Sequence, residues 1–413
     1  MEKFNTWLQE HIVPGAKKIA ENPWIGAISS AFTIILPFIM VSSLISLYGV
    51  IIGYLPFEMP SLSSIGNFAM GLTALQVAFL VPYLLMEKKG KGKYAVVAGL
   101  LGIGSFLQVL NYPTIDGYYA VTFGDLGAGG TFVSLVVGLF TAMVFNWYIG
   151  LKFLEDSEMP DFIVEWINGT VPVLIVLAVG FILNSCNVSI PAILTKILEP
   201  VFTFGQSYLG MLVIVFVPAF LYSFGIGTRT TSAFRNPIYY AGIAANVELV
   251  AQGLKATNIV TFETIHTCAL TCLGGTGGTL MLVIMMCFSK SKRLKTIGRV
   301  TIVPSIFNIN EPVIYGAPVI FNPLLMIPMW INAILTATIV YFTMSTGFLN
   351  TPSYVFQAWA LPAPIGAILA TNDWKAIIVW AIVCVVTFCV WYPFFKAYEK
   401  TLLEEENAQI ESK

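Results

Sequence analysis

Asn308-Ile309-Asn310-Glu311-Pro312-Val313-Ile314-Tyr315-Gly316-Ala317-Pro318, with Asn322-Pro323 shortly after, is the stretch on which the reading of this 413-residue chain turns. It lies inside a long apolar region, and Glu311 is the only carboxylate between Glu263 and Asp373. An ionised side chain at the bilayer centre costs about 2.5–3.5 kcal/mol on insertion scales, so such a residue is read as functional by default. Pro304, Pro312, Pro318 and Pro323 each remove a backbone donor and interrupt a helix. Broken backbone is tolerated at that depth only where it is buried in protein or lines a watery cavity. Asn308, Asn310 and Asn322 are expected to set amide donors and acceptors around the carboxylate. The stretch reads as a polar substrate site inside the membrane. A kinked helix whose Glu311 pairs with a neighbour is the plainer alternative.

Composition agrees with that depth. The chain is 57% hydrophobic and 10% charged, against about 25% charged in soluble domains. It reads as an all-α polytopic membrane protein. A net charge of −1 argues against a nucleic-acid partner. Two histidines and six cysteines supply no zinc-like set; Cys268 and Cys272, placed on one helix face, read as small hydrophobes. No metal or cofactor is expected. Residues 1–22 read as an amphipathic helix on the membrane surface and lack the apolar core of a cleavable signal.

Ten apolar stretches are long enough to cross about 30 Å of hydrocarbon. They lie near 24–52, 64–86, 94–111, 129–151, 170–190, 208–226, 236–252, 268–288, 321–345 and 374–397. The basic runs Lys88–Lys93 and Lys290–Arg299 then fall on one side, which the positive-inside rule makes cytoplasmic, together with both termini. Residues 191–207 look like a second surface helix. Residues 301–320 and 352–371 are too broken for spans and too apolar for loops. They read as opposed re-entrant hairpins meeting near the midplane, where transporters commonly build their sites. The charged loop Lys152–Glu165 suggests a division into a membrane half at 1–165, a span with its linking helix at 166–207, and a substrate-binding half at 208–413. Gly274-Gly275-Thr276-Gly277-Gly278 lets backbone approach either another helix or a ligand closely.

Phe307–Gly316 resembles the FNINEPxxFG motif of the lactose/cellobiose/diacetylchitobiose-type enzyme IIC of the bacterial sugar phosphotransferase system. Ser289–Lys292, Pro362–Gly366, Asp373-Trp374 and Tyr392–Lys396 are similar to further signatures of that family, and Pro14–Ile28 and Leu126–Phe132 resemble it more loosely. The resemblance implies a homodimer in the bacterial cytoplasmic membrane, paired through its N-terminal half. It implies a β-linked disaccharide or glycoside as cargo, a cytoplasmic enzyme IIB as phosphocysteine donor, and an enzyme IIA upstream. The chemistry would be shared with enzyme IIB, which phosphorylates the sugar 6-hydroxyl.

By the same resemblance, Glu311 would take that hydroxyl's proton. Asn308, Asn310 and Gly316 would line the sugar or shape the hairpin. Trp359 would stack on a sugar face or serve as an interfacial belt residue. One position departs. The family places a histidine in an F-G-I-H-G stretch, whereas this chain reads Phe224-Gly225-Ile226-Gly227-Thr228-Arg229. Arg229 or Arg235 would replace its hydrogen bond, or would only anchor the cytoplasmic side. His266 reads as a packing residue or a partner of Glu263. The missing histidine leaves two other readings open: a facilitator releasing unmodified sugar, and a sugar-sensing membrane protein.

Overall fold

A computed structural model describes residues 21–35, 59–154, 157–186, 188–317 and 319–411, with scattered positions between 10 and 52. The expected surface helix at the N-terminus and most of the first span after Ile35 lie outside the described residues. The chain divides into two compact units.

One unit comprises Glu21–Thr203 and Ser232–Ala241. Its helices are α1 (Pro23–Ile34), α2 (Ser63–Met70), α3 (Thr73–Lys88), α4 (Ala95–Leu110), α5 (Thr131–Gly150) and α6 (Asp161–Ser185). Asn22 starts α1, its Oδ1 accepting the Trp24 N–H at 2.9 Å. Small residues let the helices close up. A Cβ on Gly102 would sit 2.0 Å from the Ala78 carbonyl oxygen of α3. Ala27, Leu85, Ala98, Ala142 and Phe145 form one buried apolar cluster of the unit, and Ala74, Ala78, Phe106 and Val137 belong to another. Lys91, in the turn after α3, donates to both the backbone and side-chain oxygens of Asn146, at 2.7 and 3.0 Å. A two-residue hairpin pairs Thr114–Ile115 with Tyr118–Tyr119 beyond α4. Outward-facing Leu100, Leu174 and Phe181 are more than half exposed, as side chains facing lipid would be.

The sequence places a charged loop up to Glu165, but α6 already begins at Asp161. Pro160 and an acidic residue in the first turn are favourable there. After it, α7 (Ile190–Gln206) stands where the second surface helix is expected, exposing Ile193, Ile197 and Val201. Its end, Glu199–Gln206, meets α8 (Tyr208–Tyr222) at 80°. Ser207 makes the corner by accepting the Gly210 N–H, at 3.1 Å.

The other unit contains Phe204–Thr231 and Gly242–Lys413. Its helices are α8, the second half of α9 (Ser232–Ala251), α10 (Leu280–Cys287), α11 (Lys292–Ile306), α12 (Glu311–Gly316), α13 (Pro323–Ser345), α14 (Ala363–Thr371) and α15 (Ala376–Glu411). Here the sequence reading needs correction. The stretch 268–288, taken as one span, is helical only at α10. Before it come a π-helical turn at Glu263–Thr267 and an irregular run in which Ala269, Gly274, Gly275, Gly277 and Gly278 all have positive φ. Cys268 and Cys272 therefore share no helix face. Side chains replace the lost ladder: Thr336 donates to the Thr271 carbonyl at 3.0 Å and Trp391 to that of Gly278 at 2.8 Å. At the base of α11, Glu399 and Glu406 of α15 accept hydrogen bonds from Ser289 and Ser291, both at 2.6 Å.

Among the described residues, six helices are long and apolar enough to cross a membrane, and there are seven if the bent pair ending in α8 is one span. The shortfall from ten has identifiable sources. The first span runs into residues outside the described part. Helix α9 carries Arg235, Asn236, Asn246 and Glu248, and the eighth stretch is broken by its glycines.

Candidate functional site

Helix α11 stops at Phe307, and the chain turns through Asn308 at φ 62°. Asparagine tolerates this left-handed conformation better than most residues. Its side chain then joins two other stretches. Oδ1 accepts the Gly274 N–H at 3.0 Å, and Nδ2 donates to the Leu361 carbonyl at 2.7 Å. Asn310 is 3% exposed and donates to the Thr276 carbonyl and Thr279 Oγ1, at 2.9 and 3.2 Å. Gly275 has φ 109°, and a Cβ there would fall 2.3 Å from Asn310 Cγ. The glycine run, the asparagine motif and the tip of the second hairpin thus meet at one place.

This arrangement corrects the expected ring of amides around Glu311. Asn308 and Asn310 are committed to backbone and Thr279, while Asn322 caps α13 by accepting the Leu324 N–H at 3.1 Å. Glu311, the first residue of α12, is exposed, and no hydrogen-bond donor among the described residues reaches its carboxylate. Packed against the same short helix is Tyr222, a residue the sequence reading passed over. Tyr222 is 4% exposed, its hydroxyl has no partner among the described residues, and its ring lies edge-on to Tyr315 at 6.4 Å. A carboxylate that can accept and a phenol that can donate, both uncommitted, form a pair suited to a polyol.

Segment 223–227 leads away from Tyr222. The Phe321 N–H donates to the Ser223 carbonyl at 3.1 Å, which ties this segment to the chain just beyond the motif. Gly227 is exposed, and a Cβ added there would meet nothing within 4 Å. The Arg229 backbone lies in the short helical turn Thr228–Thr231, and its side chain is outside the described part. Arg235 is buried in the other unit and lies over Tyr239, 5.9 Å from the ring centre. Gly316 ends α12, exposed, with Ile297 Cγ2 as the nearest atom to an added Cβ, at 3.9 Å. Packing alone does not require glycine there.

Trp359 sits on the extended limb that precedes α14 and is 38% exposed. The limb is clamped behind it. Glu263 Oε1 accepts the Phe356 N–H at 3.2 Å, and Thr267 donates to the Phe356 carbonyl at 2.7 Å. Glu263 is fully buried, while His266 packs on Phe262 with ring centres 4.8 Å apart. The sequence signal for this clamp was a carboxylate among Thr261, Thr264, Thr267 and Thr271, all buried. Among the described residues, no three His, Cys, Asp or Glu side chains gather as a metal site.

Comparison with known proteins agrees with this architecture. Residues 29–333 match the family model described as "Phosphotransferase system, EIIC". The chain is 28% identical to the lichenan permease IIC component of Bacillus subtilis, covering 98% of this chain and 96% of that one. It is 30% identical to the putative permease IIC component YwbA of the same organism, with 99% and 98% covered. Against the lactose-specific EIICB component of Staphylococcus epidermidis it is 27% identical over 100% of this chain and 73% of that one. In fold it matches the crystal structure of the transporter ChbC, the IIC component of the N,N'-diacetylchitobiose-specific phosphotransferase system. The TM-score is 0.86 at 24% identity, covering 97% of this chain and 99% of the other. These matches do not favour the facilitator or sensor readings. The chain belongs to the phosphotransferase-system EIIC family, the sugar permeases of that system.

Proposed function

We propose that this chain carries a β-linked disaccharide or related glycoside across the bacterial cytoplasmic membrane and presents its 6-hydroxyl to a phosphocysteine on enzyme IIB. The observation that carries the reading is the Glu311 carboxylate, uncommitted among the described residues, beside a motif whose asparagines bond backbone and Thr279 instead of it. Glu311 accepts the hydroxyl proton as the sugar oxygen attacks phosphorus. The sulfur–phosphorus bond breaks, the oxygen–phosphorus bond forms, and the thiolate leaves on enzyme IIB. Tyr222 donates to the sugar, and Trp359 offers a ring for stacking. Asn308, Asn310 and Gly316 shape the pocket, and segment 227–229 borders it.

The wider reading is a homodimer joined through residues 1–165. Residues 208–413 bind the sugar, 166–207 link the halves, both termini are cytoplasmic, and enzyme IIA recharges enzyme IIB. Lactose and N,N'-diacetylchitobiose from the relatives' names, and cellobiose from the family resemblance, guide the test. Membrane vesicles holding the chain, supplied with phosphorylated enzyme IIB, are offered labelled lactose, cellobiose and N,N'-diacetylchitobiose separately. Sugar phosphate is the expected product for at least one. Uptake of unmodified sugar alone would overturn the phosphotransfer step.

A further inference from the structure

A polar cavity lies away from Glu311, at the far end of α13. It is a cleft of about 670 Å³ lined by parts of three stretches, between 255 and 259, between 341 and 353, and at 371–372, within the usual range of small-molecule sites, about 300–1,000 Å³. The 23 residues of α13 separate its mouth from the Asn322 end next to the motif, roughly 34 Å at 1.5 Å per residue. That is about one hydrocarbon thickness.

The cleft is built rather than incidental. Asn246 is fully buried and joins two of its walls: Oδ1 accepts the N–H groups of Thr257 and Asn258, at 3.1 and 2.8 Å. Its Nδ2 donates to the carbonyls of Asn258 and Pro352, both at 2.8 Å. Asp373 fixes a third wall, accepting the Asn350 N–H at 3.3 Å and pairing with Lys375 at 3.2 Å. Within this frame the hydroxyls of Thr257, Thr351 and Ser353 and the amides of Asn350 and Asn372 have no partner among the described residues. The lining includes the ring of Tyr341 and one cation, Lys255, but no carboxylate. Neutral donors and acceptors with an aromatic wall suit a neutral polyol and offer nothing to a metal cation.

The cleft also connects to the site through covalent structure. Its walls include Ser353 and Thr371, the two ends of the second hairpin, whose tip carbonyl at Leu361 is bonded to Asn308. We propose that this cleft is a second carbohydrate site, which captures sugar on the outer face before it reaches Glu311. The assignment of the outer face rests on the permease orientation proposed above.

The test uses the full-length protein in vesicles of both orientations, with whichever of lactose, cellobiose or N,N'-diacetylchitobiose the wild type takes up. The double variant Asn350→Ala/Ser353→Ala removes two uncommitted polar groups. The KM for uptake from outside should rise roughly five- to thirtyfold, as expected for two lost neutral hydrogen bonds. Phosphorylation of the same sugar offered to enzyme IIB on the cytoplasmic side should stay unchanged, which also shows that the variant folds. In a separate Ser353→Cys variant, a membrane-impermeant maleimide applied outside should label the cysteine, and that sugar should slow the labelling. An unmoved KM together with unprotected labelling would overturn the second site. Labelling only from the cytoplasmic side would overturn it as well. A wild type that phosphorylates none of the sugars sinks the permease reading instead, which keeps the two failures apart.

Discussion

The two units differ in what their helix contacts lean on most. In the unit containing α1 to α6, contacts are made by what is absent. Gly102 meets the Ala78 carbonyl, and Gly138 lies beside Val81 and Pro82 with no room to spare. Small-residue packing of this kind substitutes for the hydrophobic effect, which lipid does not supply between helices. In the unit containing α10 to α15, backbone ladders are broken and buried side chains close the gaps, from Asn308 and Asn310 to Thr267 and Trp391. Continuous helices need no such repair and offer no polar groups to a ligand. Interrupted ones expose carbonyls and N–H groups that something must satisfy, and a few side chains are left over. Glu311 and the Tyr222 hydroxyl are among those left over.

The largest effect should come from the uncommitted carboxylate. Glu311→Gln keeps size and hydrogen bonding but removes the proton acceptor. Sugar should still bind, while phosphorylation by enzyme IIB should fall about 10²–10⁴-fold, the usual contribution of a general base. Equilibrium binding of labelled sugar measured beside single-turnover phosphorylation separates the two. Full phosphoryl transfer in Glu311→Gln would mean that the residue frames the pocket and accepts no proton.

A matched pair of substitutions tests whether the units differ as described. Gly102→Ala drives a methyl group against a carbonyl oxygen and should destabilise the folded protein by about 1–3 kcal/mol or more. Asn310→Ala strips Thr276 and Thr279 of their partner at a cost of about 1–3 kcal/mol, and it loosens the turn that presents Glu311. Thermal melting in detergent should register both. Sugar phosphorylation per folded molecule should drop only for Asn310→Ala. The opposite pattern would reverse the division between a packing unit and a chemical one.

Trp359 comes next in size. Stacking of a ring on a flat ligand face is worth roughly 1–3 kcal/mol on the scale of aromatic–base contacts. Trp359→Ala should weaken sugar affinity by that amount, and Trp359→Phe should recover much of it. Unchanged affinity would return the residue to the membrane interface. Because Glu263 and Thr267 hold the limb at Phe356, Thr267→Val should reproduce part of the loss with the tryptophan intact.

The fold was legible where side-chain chemistry is local. Prolines and asparagines marked the broken motif, and Pro191, Glu199 and Pro200 set the helix at 191–207 apart from the spans. Residues 301–320 and 352–371 were visible as stretches too broken to span. Their meeting at Asn308 and Leu361 was expected only as a general habit of transporters. The 268–288 stretch misled because hydropathy counts side chains, whereas its conformation is set by four glycines whose positive φ no hydropathy scale registers. The role of the asparagines was misjudged for a related reason. An amide beside a carboxylate in sequence is as able to bond backbone brought from 34 or 53 residues away. Tyr222 was invisible because its importance rests on an unbonded hydroxyl, which exists only once everything around it has been placed.

The smallest expected effect concerns Gly227, where the family resemblance leads one to look for histidine. The position is exposed, its backbone is not left-handed, and an added Cβ has open space around it. Gly227→His should therefore fold as well as the parent, which melting in detergent would verify. If an imidazole there reaches the sugar, it adds one donor or acceptor beside a carboxylate that already takes the proton. The gain in phosphorylation should then be modest, up to about tenfold or ~1.4 kcal/mol of transition-state stabilisation. The combination with Glu311→Gln is sharper. A histidine near enough to act as base restores part of the lost rate, whereas one that only hydrogen-bonds the sugar improves KM and leaves the rate where the glutamine put it. No change in either quantity would show that segment 224–229 merely borders the pocket, and that Glu311 and Tyr222 make the polar contacts without it.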